Sequence, residues 1–116
     1  MVILKSNNSV SSIFLERHVE YDFYYEILLN NAMIGISAIS KKGNNMMYIY
    51  IKPEYRGNNY GKEAFNLLIN EFRKLNINVI SLEIEKNNTQ MLRILEHEKY
   101  KIIRSSFDFN FYEMNI

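Results

Sequence analysis

With 116 residues and a mass of 13.9 kDa, the chain is long enough to enclose one hydrophobic core and too short for two. An apolar fraction of 47% and a charged fraction of 23% exclude a disordered, collagen-like or low-complexity chain. A net charge of +1 with neither half lopsided disfavours binding to nucleic acid or membrane through bulk charge, and the lack of cysteine excludes disulfides, thiolate nucleophiles and thiolate metal sites.

No apolar run approaches the roughly 18 residues of a membrane span, and residues 1–30 lack the basic-then-apolar order of a signal peptide. The expectation is therefore a soluble, cytoplasmic protein of one domain over residues 1–116. The chain holds 16 Asn, 16 Ile and only three Ala, a bias that an AT-rich genome would produce. Asn is accordingly discounted as a turn signal unless its context supports it.

Residues 12–19 and 21–29 are rich in aromatic and branched side chains and read as two strands. Asn30-Asn31 predicts a turn into a third strand over 34–40, and Lys42-Gly43-Asn44-Asn45 another into a fourth over 46–51. In that fourth strand Met47, Ile49 and Ile51 alternate with Met46, Tyr48 and Tyr50, so both faces are largely apolar and both are expected to be covered. Pro53 forces Lys52 into an extended conformation and ends the strand.

The period then changes. Over 61–75 apolar residues recur at Ala64, Leu67, Leu68, Phe72 and Leu75, the pattern of an amphipathic helix. Residues 79–85 alternate as a half-polar strand. Asn87 or Asn88 supplies the N-cap of a second helix over 89–98 that buries Met91, Leu92 and Leu95. Two closing strands follow at 101–103 and 107–113, with Phe107, Phe109 and Phe111 expected on the core face. The order β-β-β-β-α-β-α-β-β describes a mixed α/β layer on a largely antiparallel sheet.

Four glycines and one proline are few, yet three of the five, Pro53, Gly57 and Gly61, fall between the fourth strand and the first helix. Backbone irregularity is expected to concentrate there. Successive N–H groups in such a loop, joined to the open donors and positive dipole of the following helix, can bind phosphate oxygens, and Arg56 adds a fixed positive charge. A plain turn is the other reading of the same residues. The loop lacks the Gly-Lys-Ser/Thr ending of a nucleoside-triphosphate site, and the short strand-helix-strand unit after it argues against a dinucleotide fold.

The run Pro53-Glu54-Tyr55-Arg56-Gly57-Asn58-Asn59-Tyr60-Gly61 resembles the acetyl-CoA-binding motif of the Gcn5-related N-acetyltransferases, Arg/Gln-x-x-Gly-x-Gly/Ala, with Asn59 where the middle glycine is usual. Asn is the residue best able to replace Gly in a left-handed conformation. Leu82-Glu83-Ile84-Glu85-Lys86-Asn87-Asn88 likewise looks like the family's next strand and the Asn that opens its next helix. The resemblance covers about two thirds of the chain and implies a sheet that splays beside the loop strand, with the pantetheine arm of acetyl-CoA in the gap. Backbone groups near Tyr50 and Ile51 would then bond the arm. Donors of Arg56, Gly57, Asn58, Asn59, Tyr60, Gly61 and Lys62 would hold the pyrophosphate, and Asn88 would contact the arm.

The implied reaction is direct attack by a primary amine on the thioester in a ternary complex. An alkylamine with a pKa of about 10.4 must first lose a proton, and Glu83, matching a Glu that takes this role in the family's protein N-terminal acetyltransferases, is the expected base; an exposed strand carboxylate is the alternative reading. Leu95 stands where members often place a Tyr that protonates the departing thiolate, and Lys99 where a Gly is usual. Tyr60, Tyr100 and Tyr112 are candidate substitutes, and a non-catalytic acyl-CoA-binding or protein-interaction member of the same fold is the alternative function. The two histidines are isolated: His18 in a strand and His97 on the polar side of its helix read as solvated residues. No cluster of Asp, Glu or His has metal spacing, so no metal is expected. Residues 1–22 leave no room for the family's usual helices beside the acceptor site, so the acceptor side is either open or walled by a second subunit in a homodimer. Nucleic acid and membrane are not expected partners.

Overall fold

The computed structural model describes residues 1–8, 21–41 and 45–116. Asn30 and Asn31, both left-handed at φ 51° and 70°, turn the chain between β2 (Phe23–Leu29) and β3 (Ala32–Ile39), the two-residue hairpin that two positive φ values favour. β1 (Ile3–Ser6) pairs with β2 on one side, and β4 (Met47–Ile51) pairs with β3 on the other. All pairings are antiparallel, giving the order β1-β2-β3-β4. Gly35 pairs with Ile51 of β4, and a Cβ there would strike the Tyr50 carbonyl.

A short 3-10 turn, Pro53–Tyr55, leads into α1 (Tyr60–Lys74). β5 (Val79–Glu85), α2 (Thr89–Leu95), β6 (Tyr100–Ser105) and β7 (Phe109–Asn115) follow. The last three strands form a second antiparallel sheet in the order β5-β7-β6. The fold class is therefore the expected mixed one, with antiparallel sheets and two helices among the described residues.

The helix α1 joins the two sheets. Its Ala64 packs in a cluster with Val2, Ile27, Ile34 and Ile51 of the first sheet. Its Phe65, Leu68, Ile69 and Phe72 pack with Ile39 and Met47 of that sheet and with Ile80, Leu82, Tyr112 and Met114 of the second. Phe65 and Phe72 are fully buried, each contributing about 1.5–3 kcal/mol of apolar burial. Phe65 and Ile69 lie outside the stripe expected from spacing, because a helix laid across two sheets buries a wider arc than one laid on a single sheet.

Several expectations change. β1 was not anticipated, and the strand expected over 12–19, His18, the room for helices before residue 22 and most of the 42–45 turn lie outside the described residues. The two faces of β4 are covered unequally: Met47 and Ile51 on one face are buried, whereas on the other Met46 and Tyr48 are half-buried, Tyr48 against the cluster of Tyr24, Ile36 and Ala38, and Tyr50 is 39% exposed. β7 turns the opposite face inward from the one expected. Its register with β5 pairs Leu82 with Tyr112 and Ile80 with Met114, so Tyr112 and Met114 enter the core, Phe109 and Phe111 lie half-buried on the other face, and Phe107 precedes the strand at 93% exposure. A one-residue shift of register exchanges the two faces of a strand, and pairing decided it here. Left-handed backbone is also spread along the chain: Asn30, Asn31, Asn45, Asn59 and Asn76 have positive φ, as does Gly57. Asn supplies most of the turns that a count of Gly and Pro overlooks.

Candidate functional site

At the end of β4 the backbone is bent by two left-handed residues, Gly57 at φ 85° and Asn59 at φ 65°. Asn59 is the N-cap of α1, yet its side chain makes no capping bond. The Glu63 N–H, bonded to the Asn59 carbonyl at 3.1 Å, is the first donor of the helix with an internal acceptor. The Tyr55 and Arg56 N–H groups close the preceding turn onto Lys52 and Pro53. The six consecutive N–H groups of residues 57–62 thus have no acceptor among the described residues, and they lie at the positive end of a 15-residue helix. Asn58 secures the turn through its own side chain, whose Nδ2 donates to the Tyr55 and Arg56 carbonyls at 3.3 and 3.4 Å. Gly61 serves packing: a Cβ there would stand 3.1 Å from Ile94 Cδ1 and 3.8 Å from Ile51 Cγ1.

The charged residues of the loop are used in different ways. Arg56 folds back, donating from Nε to the Ile51 carbonyl at 2.8 Å and lying 5.3 Å from the Tyr50 ring centroid. Lys62 reaches across to α2, where its ammonium meets Glu98 at 2.7 Å and the Ile94 carbonyl at 3.1 Å. It therefore caps the C-terminal end of α2, and its contribution to the loop is its backbone N–H.

Between β4 and β5 the two sheets part. Ser40 donates to the Met46 carbonyl and Lys52 to the Ile34 carbonyl, both at 2.8 Å, so even-numbered residues of β4 bond to β3 and odd-numbered ones face away from it. On the other side Ile116 donates to Asn78 and Lys86 to Asp108, both at 2.9 Å. Even-numbered residues of β5 therefore bond to β7, and odd-numbered ones face β4. One parallel bridge, Met46 with Ser81, closes the near end, where the Ser81 N–H meets the Asn45 carbonyl at 3.2 Å. No pairing continues beyond it. Backbone groups of Ile49 and Ile51 on one edge, and of Glu83 and Glu85 on the other, thus face a widening gap outside any ladder. Of the two residues expected to offer backbone groups there, Ile51 turns its N–H to the gap while its carbonyl accepts from Arg56 Nε, and Tyr50 spends its backbone on β3.

Two clefts meet at this gap. One of about 650 Å³ runs from Ile49, Tyr50 and Ile51 along the loop to α2. The other, about 390 Å³, has Tyr21, Tyr48 and Tyr50 on one side and Glu83, Glu85 and Phe109 on the other. Residues lining both are Ile49, Tyr50, Glu85, Asn88 and Met91. Arg56, Gly57, Asn59, Tyr60, Gly61, Lys62 and Asn88 all line the first cleft, and exposed Glu83 lines the second. Asn88 is the N-cap of α2, its Oδ1 accepting from the Met91 N–H at 3.2 Å. Leu95 is 1% exposed and belongs to the core. Tyr112 is buried and Tyr100 lies on the outer strand β6, leaving Tyr60, of the three substitutes considered, on a cleft. The wall of Tyr21, Tyr48 and Tyr50 went unrecognised in the sequence, because alternation in β4 read as core on both faces. Among the described residues no group of three or more Asp, Glu or His gathers as a metal site, and no helix is long and apolar enough to cross a membrane.

No curated protein sequence matches the chain. The fold matches that of the Campylobacter jejuni N-acetyltransferase PseH in complex with acetyl coenzyme A, with a TM-score of 0.73 at 18% identity over 99% of each chain. A GNAT family acetyltransferase from Elizabethkingia anophelis with acetyl-CoA bound matches at 0.78 and 10% identity, over 99% of this chain and 98% of that one. A domain from Methanocaldococcus jannaschii matches at 0.80 and 15% identity, over 100% and 99%. The model of the acetyltransferase (GNAT) family aligns with residues 6–98, most of the chain and all of the loop, gap and second helix. This chain belongs to the acetyltransferase (GNAT) family.

Proposed function

We propose that the chain is an acetyl-CoA-dependent N-acetyltransferase acting on a primary amine, working as one domain over residues 1–116 in the cytoplasm. The observation that carries this reading is the continuity of two backbone features: six open N–H donors at the start of α1 and, beside them, two strand edges facing each other without a ladder. Phosphate oxygens suit the first. An extended arm with amide groups suits the second, since it can add to a strand edge as another strand would.

With the donor held there, its thioester lies near the junction of the two clefts and the amine enters from the second. The amine nitrogen bonds to the acetyl carbon, the carbon–sulfur bond breaks, and the thiolate takes up a proton. Glu83, on the wall of the second cleft, removes the proton that an alkylammonium must lose before it attacks. Position 95 cannot supply the proton to sulfur, because leucine has no acidic proton and its side chain is buried in the core; Tyr50 is the hydroxyl that lines both clefts. A thiolate with an intrinsic pKa near 8.5 also leaves without a dedicated acid, at a loss of about 10²- to 10⁴-fold in rate.

Calorimetry with acetyl-CoA, followed by release of free thiol on mixing with a panel of alkylamines, aromatic amines and lysine peptides, tests the reading. Binding with amine-dependent thiol release is expected, and absence of binding overturns it. The burial of Leu95 favours one alternative, a non-catalytic acyl-CoA-binding or protein-interaction member of the family. Binding without thiol release across the whole panel would select it.

A further inference from the structure

The second cleft, about 390 Å³, has two walls of different chemistry. On the β4 side stand Tyr21, Tyr48 and Tyr50; the ring centroids of Tyr21 and Tyr48 are 6.3 Å apart, and the Tyr50 ring already has the Arg56 guanidinium 5.3 Å from its centroid. On the β5 side stand Glu83 and Glu85, with Phe109 directly opposite Glu85 in the sheet. Among the described residues no Lys, Arg or His lines this cleft. The two cations of the second sheet are engaged elsewhere: Lys101 meets Glu113 at 3.3 Å, and Arg104, two strands from Glu83 across Phe111, holds its guanidinium 4.0 Å from the Phe111 ring centroid. Glu83 and Glu85 have no ion-pair partner among the described residues.

Acetyl transfer uses one carboxylate, Glu83, and the amine it serves is neutral when it attacks. Aromatic faces attract cations through the ring quadrupole, and an unpaired carboxylate does so through its charge. Both walls therefore call for a positive charge that the reacting nitrogen does not keep. We propose that the acceptor is a linear aliphatic diamine, acetylated on one nitrogen beside Glu83 while the other, still protonated, is held between Glu85 and the aromatic wall. The inference rests on the acetyltransferase reading of the site. Alternate residues of a strand share a face, with Cα atoms about 7 Å apart. Glu83 is nearer the closed end of the gap at Ser81, and Glu85 is nearer its open end, so an acceptor lying along β5 enters with one nitrogen and leaves the other at the mouth. Five bonds of extended chain span about 6 Å, which is the reach from one nitrogen of diaminobutane to the other. Of the two protons that the acetylated nitrogen gives up, one leaves through Glu83 and one ends on the thiol.

The experiment is thiol release by the full chain from acetyl-CoA with diaminobutane, butylamine and aminobutyrate, acceptors of one carbon-chain length that end in a cation, a methyl group and a carboxylate. At low salt kcat/KM is expected to be about tenfold higher for diaminobutane than for butylamine, and lowest for aminobutyrate. In Glu85→Gln the ratio of diaminobutane to butylamine should fall close to the statistical factor set by two equivalent nitrogens, while Glu85→Asp keeps part of it. Raising salt should shrink the wild-type ratio more than that of Glu85→Gln. A wild-type ratio no larger than the statistical factor, or an equal loss for both amines in Glu85→Gln, overturns the site for the second cation while leaving the acetyltransferase reading intact. Thiol release with no amine at all overturns that reading, and this inference with it.

Discussion

The two sides of the gap are built from different materials. The side we propose for the donor is made of backbone: N–H groups of residues 57–62 and the free edge of β4, positioned by two left-handed residues and a helix start. The side we propose for the acceptor is made of side chains, Tyr21, Tyr48 and Tyr50 with Glu83, Glu85 and Phe109. A backbone site depends on conformation, so Asn59 can hold a left-handed position that otherwise favours glycine, provided φ stays positive. A side-chain site depends on residue identity, and each member of a fold can write its own. This contrast is why the donor motif is recognisable in one sequence while the acceptor is not.

Substitutions at four positions break or sharpen the contrast. The largest effect is expected at Glu83→Gln: with the best amine of the panel, kcat falls about 10²- to 10⁴-fold while calorimetric affinity for acetyl-CoA is unchanged. Weakened acetyl-CoA binding would move Glu83 to the donor side. Leu95→Ala, which opens a hole in the shared core, is expected to lower unfolding free energy in urea by about 2–5 kcal/mol. Leu95→Tyr, overfilling the same space, should cost about 1–3 kcal/mol and leave turnover no higher. A faster enzyme would mean that position 95 reaches the thioester after all.

Asn59→Val places a β-branched residue at φ 65°, a strain of about 1–2 kcal/mol. Coenzyme A affinity should drop about tenfold, whereas Asn59→Gly binds as the wild type does. If both variants bind equally, the side chain rather than the conformation matters. The smallest effect probes the core beneath both sides. Burial, with a lesser push from Glu71, raises the Tyr25 phenol from 10.0 to about 12. Because the folded value is the higher one, the neutral phenol's contribution is complete below pH 10 and is lost as pH rises toward 12. Denaturant melts across that window should fall more steeply for the wild type than for Tyr25→Phe.

Elements whose determinants are local were legible in the sequence. β5 has the bounds read from alternation, Asn88 caps α2, and the loop from Pro53 to Gly61 announced itself through proline and glycine. Asn was the signal undervalued: composition argued for discounting it, yet five of the residues at positive φ are Asn. β1 was missed because four residues at an exposed edge carry little pattern. Phe65 and Ile69 were missed because the width of a buried stripe depends on what lies beneath the helix.

The sequence by itself determined where the chain turns, where its helices begin and which loop presents its amides, since φ preferences, caps and hydrophobic period act over a few residues. The tertiary structure decided the rest. Pairing of β7 with β5 chose Tyr112 and Met114 for the core over the phenylalanines. The lone bridge between Met46 and Ser81 let the sheets part and opened the clefts. Each of these depends on register between segments distant in the chain, and register is set by the sum of contacts across a sheet, which no single segment carries.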